Sequence, residues 1–321
     1  MIVSLSYEEK RTREKLNIEN EQIDKINELM QVIERCERLS TDKNITTDEL
    51  IEAFANLQKS YPDEFLIFNL AQVVIPLLEP GLKRKMSEWD PFNNNSLDDE
   101  SMLEQTDANQ IFYCHAIYSD LKQLLNDRSY SSDVNRLNLS PYDRIVWDTW
   151  MPSFRKILAQ NTIKKHSFEC VDILNKWKSL LPNWILKNIL EQIILPKLIS
   201  ETEEWNPVTD EIQIHTWTHP WLPIMKERLD LEIFPTIRYK LSNALMNWHP
   251  SDESAKAILL PWRPPVFSAG SWDAFMCKNI LPKLELVFWN DLVISTSNQN
   301  LDPWNWVMSW LELVPTASFI R

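Results

Sequence analysis

Two histidines form the spacing in this sequence that most resembles a metal site. His215 and His219 stand four residues apart, and two imidazoles one turn apart on a helix can bind zinc. However, Pro220 follows directly, and proline disfavours a continuing helix. No glutamate lies between the histidines, so the HExxH pattern is missing as well. We therefore predict hydrogen-bonded structural histidines and no metal ion.

The other reactive side chains do not assemble into a catalytic centre either. Cys114 precedes His115 directly, but adjacent residues on a helix point about 100° apart and do not face each other. Glu203 and Glu204 end a predicted helix, where they are expected to face water. No serine occupies a Gly-x-Ser-x-Gly turn. The sequence thus predicts a protein that is not an enzyme and that has no cofactor.

Glycine is nearly missing, with two residues among 321. Loops that bind phosphate need several closely spaced glycines, and tight hairpins often use glycine for positive φ. Leu, Ile, Glu and Lys, which favour helices, are abundant. We therefore predict an all-α fold.

Charge and cysteine usage narrow the class further. The net charge of −13 argues against a surface that binds nucleic acid as a whole. No apolar run reaches the roughly 18 residues of a membrane span, and no signal peptide is expected at the start. The four cysteines form no CxxC motif, which predicts buried, reduced thiols of an intracellular protein.

Residues 1–45 are predicted to form an N-terminal helix, followed by a helical domain over 46–321. In the helix, Leu16, Ile23 and Met30 recur every seven residues, and Ile26 and Ile33 occupy the interleaved heptad position. This pattern is typical of a short coiled-coil seam. It fits equally well a helix that packs on the domain it precedes, and both interpretations stay open.

Proline is used in two ways along the chain. Pro76, Pro196 and Pro282 each lie inside an apolar helical stretch, where the loss of one hydrogen bond is expected to kink the helix.

A Trp-x-Pro triplet occurs at 89–91, 205–207 and 248–250. The residue before proline is disfavoured in the α region, so each triplet predicts a helix end. Recurring helices with this punctuation predict an irregular α-solenoid-like array of antiparallel, proline-kinked helices.

Helices are predicted through most of the second half of the chain, separated by irregular segments at 205–220 and 261–269. A polar, acidic surface loop is predicted at 92–107, including the acid cluster Asp98, Asp99 and Glu100. The helices are predicted at 141–160, 166–181, 183–204, 221–247, 251–260, 271–296 and 302–313.

The candidate functional residues are the tryptophans, histidines and prolines of these irregular segments. They either seal the junctions between helices or contact a partner. They are Trp205, Asn206, Pro207, His215, Trp217, Pro220, Trp221, Trp248, His249, Pro250, Trp262 and Trp272. Two basic clusters, at 83–85 and 164–166, are either solvated helix ends or RNA contacts.

Five ordered stretches resemble the GC-rich-sequence-DNA-binding-factor-like domain of the tuftelin-interacting protein family. The resemblance runs from about residue 143 to 306. The stretches are WDTWMPSFRKIL at 147–158, ILEQIILPKL at 189–198, EWNPVTDEIQIHTWTHPWLPIM at 204–225, NWHPSDESAKAILLPW at 247–262 and GSWDAFMCKNILPKL at 270–284.

This resemblance implies a nuclear scaffold that docks spliceosomal proteins in pre-mRNA splicing. Members of the family help to disassemble the intron-lariat spliceosome, and they activate a DEAH-box RNA helicase through a glycine-rich G-patch. Two glycines cannot supply a G-patch here, and residues 311–321 are expected to be a divergent or truncated end. A second protein with the same domain type is a further expected partner. The alternative is a helical module that binds RNA or DNA through local basic patches.

Overall fold

The computed structural model describes residues 2–41, 47–92, 106–125, 140–295 and 298–314. Within these residues the regular structure is helical. No sheet is present among them, and the one β-type pairing is an isolated bridge between Val293 and Asn300. The all-α prediction is confirmed.

The described part of the chain contains seventeen α-helices. In chain order they are α1 Ile2–Thr41, α2 Thr47–Ser60, α3 Pro62–Ile67, α4 Leu70–Glu88, α5 Thr106–Leu125, α6 Pro141–Ile145, α7 Met151–Gln160, α8 Ile163–Trp177, α9 Asn183–Ile189, α10 Leu195–Glu204, α11 Ile214–Thr218, α12 Leu222–Arg228, α13 Phe234–Ala244, α14 Ser254–Leu259, α15 Ala269–Asn279, α16 Leu281–Asp291 and α17 Asp302–Met308.

The chain divides into two compact units. Unit 1 comprises Met1–Ala159 and Trp177–Ile185, and unit 2 comprises Gln160–Lys176 and Leu186–Arg321. Each unit has a core of its own, and in both cores the largest fully buried side chains include tryptophan.

In unit 1, helix α1 packs on α2 and α4 through its C-terminal half. Leu29 and Cys36, which are two turns apart on one face, are buried there. The heptad residues Leu16, Ile23 and Met30 instead lie on an exposed face. The helix is therefore anchored by residues other than those of the predicted seam, and a coiled coil through that seam stays a prediction.

The core of unit 1 is built around three tryptophans. Trp150 is fully buried, and its ring centroid lies 6.1 Å from Trp89, 5.4 Å from Trp177 and 4.8 Å from Phe154. Tyr118 packs edge-on against Trp177 at 5.3 Å. Aromatic pairs at these distances stabilise a core beyond the area they bury. The tryptophan that ends α4 is thus part of the core of unit 1.

Helix α6 begins as its sequence predicts. Ser140 Oγ accepts a hydrogen bond from the backbone N–H of Asp143 at 3.0 Å, and Pro141 occupies the first turn. A serine at this position satisfies one of the donors that a helix start leaves unpaired. The helix then continues through a π-helical segment into α7.

Three π-helical segments interrupt the helices, and each ends two residues before a proline. In each, the residue preceding the proline donates its N–H five residues back instead of four. The proline ring clashes with the carbonyl of a normal α turn, and the wider π turn relieves this crowding. The segments are Val146–Trp150, Leu190–Ile194 and Leu229–Ile233, and the prolines are Pro152, Pro196 and Pro235.

The three prolines predicted to lie inside helices have different settings. Pro76 lies within the continuous helix α4, and Pro196 follows a π-helical segment. Pro282 lies in the first turn of α16, because a turn at Ile280, with φ −107° and ψ −53°, separates α15 from α16. The single helix predicted over 271–296 is therefore wrong, and two helices replace it.

Two of the three Trp-x-Pro triplets directly follow a helix end, as predicted. α4 ends at Glu88 and α10 at Glu204, directly before Trp89 and Trp205, whereas α13 ends at Ala244, four residues before Trp248. In the predicted acidic loop, Asp98, Asp99 and Glu100 lie outside the described residues.

Three lysines in unit 2, spaced 43 residues apart, repeat one contact. Lys197 Nζ donates to the carbonyl oxygen of Asn161 just after α7, and Lys240 Nζ donates to Glu203 and Trp205 at 2.6 and 2.5 Å. Lys283 Nζ donates to the carbonyls of Leu245, Met246 and Trp248 at 2.5, 2.6 and 2.9 Å. A cation at a helix C-terminus pairs with the carbonyls that the helix leaves unbonded. This shared device is a structural repeat with the period of a helix-pair array.

Candidate interaction surfaces

The predicted loop at 205–221 is ordered by hydrogen bonds within unit 2. Asn206 Oδ1 accepts from Val208 N at 3.0 Å, and Asp210 Oδ2 accepts from Lys164 Nζ at 2.7 Å. The Lys164 contact, a charge-assisted hydrogen bond, lowers the pKa of the Asp210 carboxyl below its usual value. The loop therefore keeps its shape through short polar contacts.

The second half of this loop is partly helical, which the sequence did not predict. Residues 214–218 form α11, and a 3₁₀ turn at 219–221 leads into α12. The buried hydroxyl of Ser167 donates to the carbonyl of Trp217 at 2.6 Å and anchors α11. Pro220 lies in the first turn of the 3₁₀ segment, where its missing N–H costs nothing.

Most of the candidate tryptophans are buried in unit 2. Trp205, Trp217, Trp221, Trp262 and Trp272 expose 4% of their surface or less. Trp248 is half-buried, and Asn206 and His249 are exposed. Because the five buried rings cannot meet a partner without opening the fold, their burial favours the sealing role over the contact role.

An aromatic cluster surrounds His219. Its ring lies 5.1 Å from Trp262, edge to face, and Trp262 stacks on Phe267 at 5.0 Å. Phe234 packs edge-on against both of those rings, at 5.7 and 5.3 Å. The cluster joins α13 to the residues around the 3₁₀ turn at 260–262. Long-range packing of this kind leaves no signal in local sequence patterns.

The two histidines lie side by side in unit 2. Their ring centroids are 5.5 Å apart. Burial, with a smaller contribution from His215, lowers the pKa of His219 to about 4, and burial lowers the pKa of His215 as well. In the described residues, no group of three His, Cys, Asp or Glu side chains could hold a metal ion. The pair therefore stays neutral at physiological pH as part of the packing. His219 Nε2 is buried without a hydrogen-bond partner within the part of the chain that the structure describes, so the prediction of hydrogen-bonded histidines is wrong for this nitrogen.

The low pKa of His219 predicts a pH dependence of stability. Between pH about 4 and 6.5, an unfolded chain protonates this histidine and the folded chain does not, so the free energy of unfolding falls as the pH falls. The whole shift corresponds to about 3 kcal/mol, and because the ring is half-exposed we expect roughly 1–2 kcal/mol. His219→Phe keeps a ring against Trp262 and should flatten this part of the profile.

Urea denaturation at pH 7.0 and 4.5 measures the effect for wild type and His219→Phe. An equal loss of stability in both proteins on acidification would show that His219 does not titrate on unfolding.

The segment after α13 is held by a second set of aromatic contacts. Trp248 lies 5.2 Å from Trp310 and His249 lies 5.6 Å from Trp306, both edge to face. Pro250 is buried beside them. Trp272 is buried too, and its Nε1 donates to the carbonyl of Leu313 at 3.0 Å. These side chains tie α15 and the chain after α13 to the residues around α17.

The basic clusters pair with acids inside their own units. Lys83 Nζ lies 2.6 Å from Glu79, Lys85 Nζ lies 3.5 Å from Asp48, and Lys164 contacts Asp210. Such pairs offset part of the positive charge that a phosphate backbone would attract.

The cysteines differ in their surroundings. Cys36, Cys114 and Cys170 are buried, and burial raises the pKa of each of these thiols, to about 12 for Cys170. Cys277 is exposed, so the prediction that all four are buried is wrong. The ring of His115, next to Cys114, packs edge-on against Trp177 at 5.7 Å.

One exposed feature was missed by the sequence reasoning. Apolar side chains on α16, on α17 and on the connection between them are open to solvent. We name this the α16–α17 apolar surface, and it consists of Leu286, Trp289, Ile294, Leu301, Trp304 and Met308. The signal that could have revealed it is the lack of any lysine or arginine between residues 284 and 320.

One known family matches this chain over residues 47–321. These residues match the family model described as GC-rich sequence DNA-binding factor-like protein. The chain belongs to this family. The match includes both the three-tryptophan core of unit 1 and the aromatic cluster around His219. The family resemblance found in the sequence is thereby confirmed.

Curated relatives in this family align along the full chain. Tuftelin-interacting protein 11 of Gallus gallus is 37% identical over 324 residues, that of Xenopus laevis over 323 and that of Homo sapiens over 324. Each alignment covers 100% of this chain but only 36–37% of the relative. The chain thus spans little more than a third of the length of these relatives. Among the helices that the structure describes, none is long and apolar enough to cross a membrane.

Proposed function

We propose that this chain is a non-catalytic scaffold of the spliceosome that docks a disassembly factor onto the intron-lariat spliceosome. The observation that carries the proposal is membership of the family over residues 47–321, with 37% identity to tuftelin-interacting protein 11 along the whole chain. The names of the family and of its relatives refer to binding and not to a reaction. A nuclear location belongs to the same proposal.

The internal architecture suits a scaffold. Most tryptophans of the 205–262 region are buried in packing contacts, and polar contacts hold the connecting loops in one shape. A rigid array presents its outer surfaces to partners at little entropic cost. The proposed partners are spliceosomal proteins and a second protein with the same domain type. The DEAH-box RNA helicase would be reached through a G-patch that this chain does not contain.

The test uses a nuclear extract that is actively splicing a labelled pre-mRNA. The immobilised chain is expected to recover the excised intron lariat several-fold over unspliced pre-mRNA. Trp262→Ala, which disrupts the aromatic cluster of unit 2, should lose this enrichment, and an unrelated acidic helical protein controls for non-specific capture. Recovery of lariat and pre-mRNA in the same ratio as on that control would reject the scaffold proposal.

Nucleic-acid binding is the alternative, and it is supported by the family's description as DNA-binding factor-like. Lys83, Lys85 and Lys164 are paired with carboxylates, and the net charge is −13. If the alternative holds, affinity for a labelled RNA or GC-rich duplex must fall by about 10³-fold or more between 50 and 200 mM salt. A mobility shift that is missing at 50 mM salt removes it.

A further inference from the structure

The α16–α17 apolar surface is a continuous feature of unit 2. Phe288 connects its two helices, because its ring lies 6.2 Å from Trp289 and 6.1 Å from Trp304. α16 packs against α17, and the bridge between Val293 and Asn300 closes the connection between them. The exposed side chains therefore belong to one helical hairpin and not to scattered positions.

The exposure of these side chains is large for a folded protein. Trp289 exposes 80% of its surface, Ile294 78% and Leu286 61%. Single exposed apolar residues are ordinary, but several on one helical hairpin mark an interaction site. Tryptophan is also the residue type most enriched among the side chains that dominate binding energies. In unit 2 most tryptophans are buried, which sets Trp289 apart.

The charges around this surface are mostly of one sign. Residues 284–320 contain Glu285, Asp291, Asp302 and Glu312 and no lysine or arginine, and all four acids are exposed. Lys256 is a cation from another helix that reaches this region. It donates to Ser309 Oγ at 2.5 Å and lies over the Trp310 ring at 5.6 Å. The rim of the surface is therefore acidic.

We propose that the α16–α17 apolar surface docks a basic amphipathic helix of a partner protein. Apolar side chains of that helix would pack on Trp289 and Ile294, and its lysines or arginines would meet the acidic rim. A second copy of this chain is disfavoured, since pairing the surface with itself brings like charges together. A nucleic acid is disfavoured for the same reason. This inference depends on the surface alone and not on the splicing context.

A pair of synthetic peptides tests the chemistry of the partner. The first is an 18-residue helix with leucines on one face and lysines on the other, and the second has glutamate in place of every lysine. Fluorescence anisotropy with the full chain should show at least about tenfold tighter binding of the lysine peptide. This ratio corresponds to a difference of about 1.4 kcal/mol in binding free energy, because the glutamate peptide would be repelled by the acidic rim. Equal affinity for both peptides would overturn the proposal.

Two double variants locate the binding. Trp289→Ala/Ile294→Ala removes two side chains that are almost fully exposed, so the fold should be retained, and affinity for the lysine peptide should drop about tenfold or more. The matched control is Leu231→Ala/Tyr239→Ala, since these side chains of unit 2 are also exposed by about 70%. It should change affinity by less than about twofold. Equal losses of affinity in the two double variants would mean that the lysine peptide is attracted to the acidic protein in general, and would refute the site.

Charge and self-association give two further outcomes. Glu285→Gln/Asp291→Asn should weaken the lysine peptide several-fold and reduce the salt dependence of its binding. Sedimentation of the chain alone completes the test. A monomer supports the proposal. A dimer that Trp289→Ala/Ile294→Ala dissociates would assign the surface to a second copy and overturn it.

Discussion

Trp262→Ala is expected to lower the free energy of unfolding of unit 2 by about 3–5 kcal/mol. The ring is 1% exposed and lies against His219, Phe234 and Phe267. Truncation to alanine removes these contacts and leaves a cavity that rigid neighbouring rings cannot fill. Such a loss approaches the whole stability of many domains, so the variant is expected to unfold near physiological temperature.

Trp289→Ala is the matched control, because the same residue type in the same unit is 80% exposed. It should change the free energy of unfolding by less than about 0.5 kcal/mol. Trp262→Phe, which keeps part of the ring, should fall between the two. Urea denaturation followed by circular dichroism measures all three. Similar midpoints for Trp262→Ala and Trp289→Ala would contradict the assignment of Trp262 to a stabilising core.

Lys283→Met is expected to lower the free energy of unfolding by about 2–3 kcal/mol. Lys283 donates to three carbonyls just after α13, and methionine retains the length of the side chain while removing every donor. Partial burial lowers the pKa of the Lys283 amine. The three carbonyls would then have to find water in a partly closed junction.

The control for this substitution is Lys278→Met, at an exposed lysine in the last turn of α15. It should cost less than about 0.5 kcal/mol. Thermal unfolding of the two variants against wild type is sufficient, and hydrogen exchange of the last turn of α13 reports on the junction itself. If Lys283→Met were as stable as Lys278→Met, the capping role of the repeated lysines would be refuted.

The sequence predicted the helical class and several helix ends well, because those depend on local chemistry. Two glycines in 321 residues leave few ways to build a sheet, and proline restricts the residue before it wherever it occurs. Ser140 at the start of α6 and Trp89 and Trp205 after α4 and α10 are local signals of this kind. Each acts through neighbours in sequence, so a single sequence is enough to find it.

Other features depend on which surfaces meet, and the sequence could not supply them. Leu16, Ile23 and Met30 form a periodic apolar stripe. This periodicity did not predict that Leu29 and Cys36 would be the residues of α1 that are buried against the rest of unit 1. Likewise, no local sequence pattern distinguishes Trp262 from Trp289, although Trp262 is buried and Trp289 is exposed. The break at Ile280 was missed because the stretch around it is apolar on both sides. For the candidate site, the sequence identified the tryptophans but did not predict that most of them are buried.

The π-helical segments before Pro152, Pro196 and Pro235 bear on how this chain should be aligned with its relatives. A π turn contains one residue more than an α turn, and one residue turns a helix by about 100°. A relative that lacks this residue would carry an ordinary α turn, in which the proline ring clashes with the carbonyl four residues back unless the proline is replaced as well. Single-residue gaps just before these prolines should therefore accompany replacement of the proline. Insertion and proline can be treated as one inherited character.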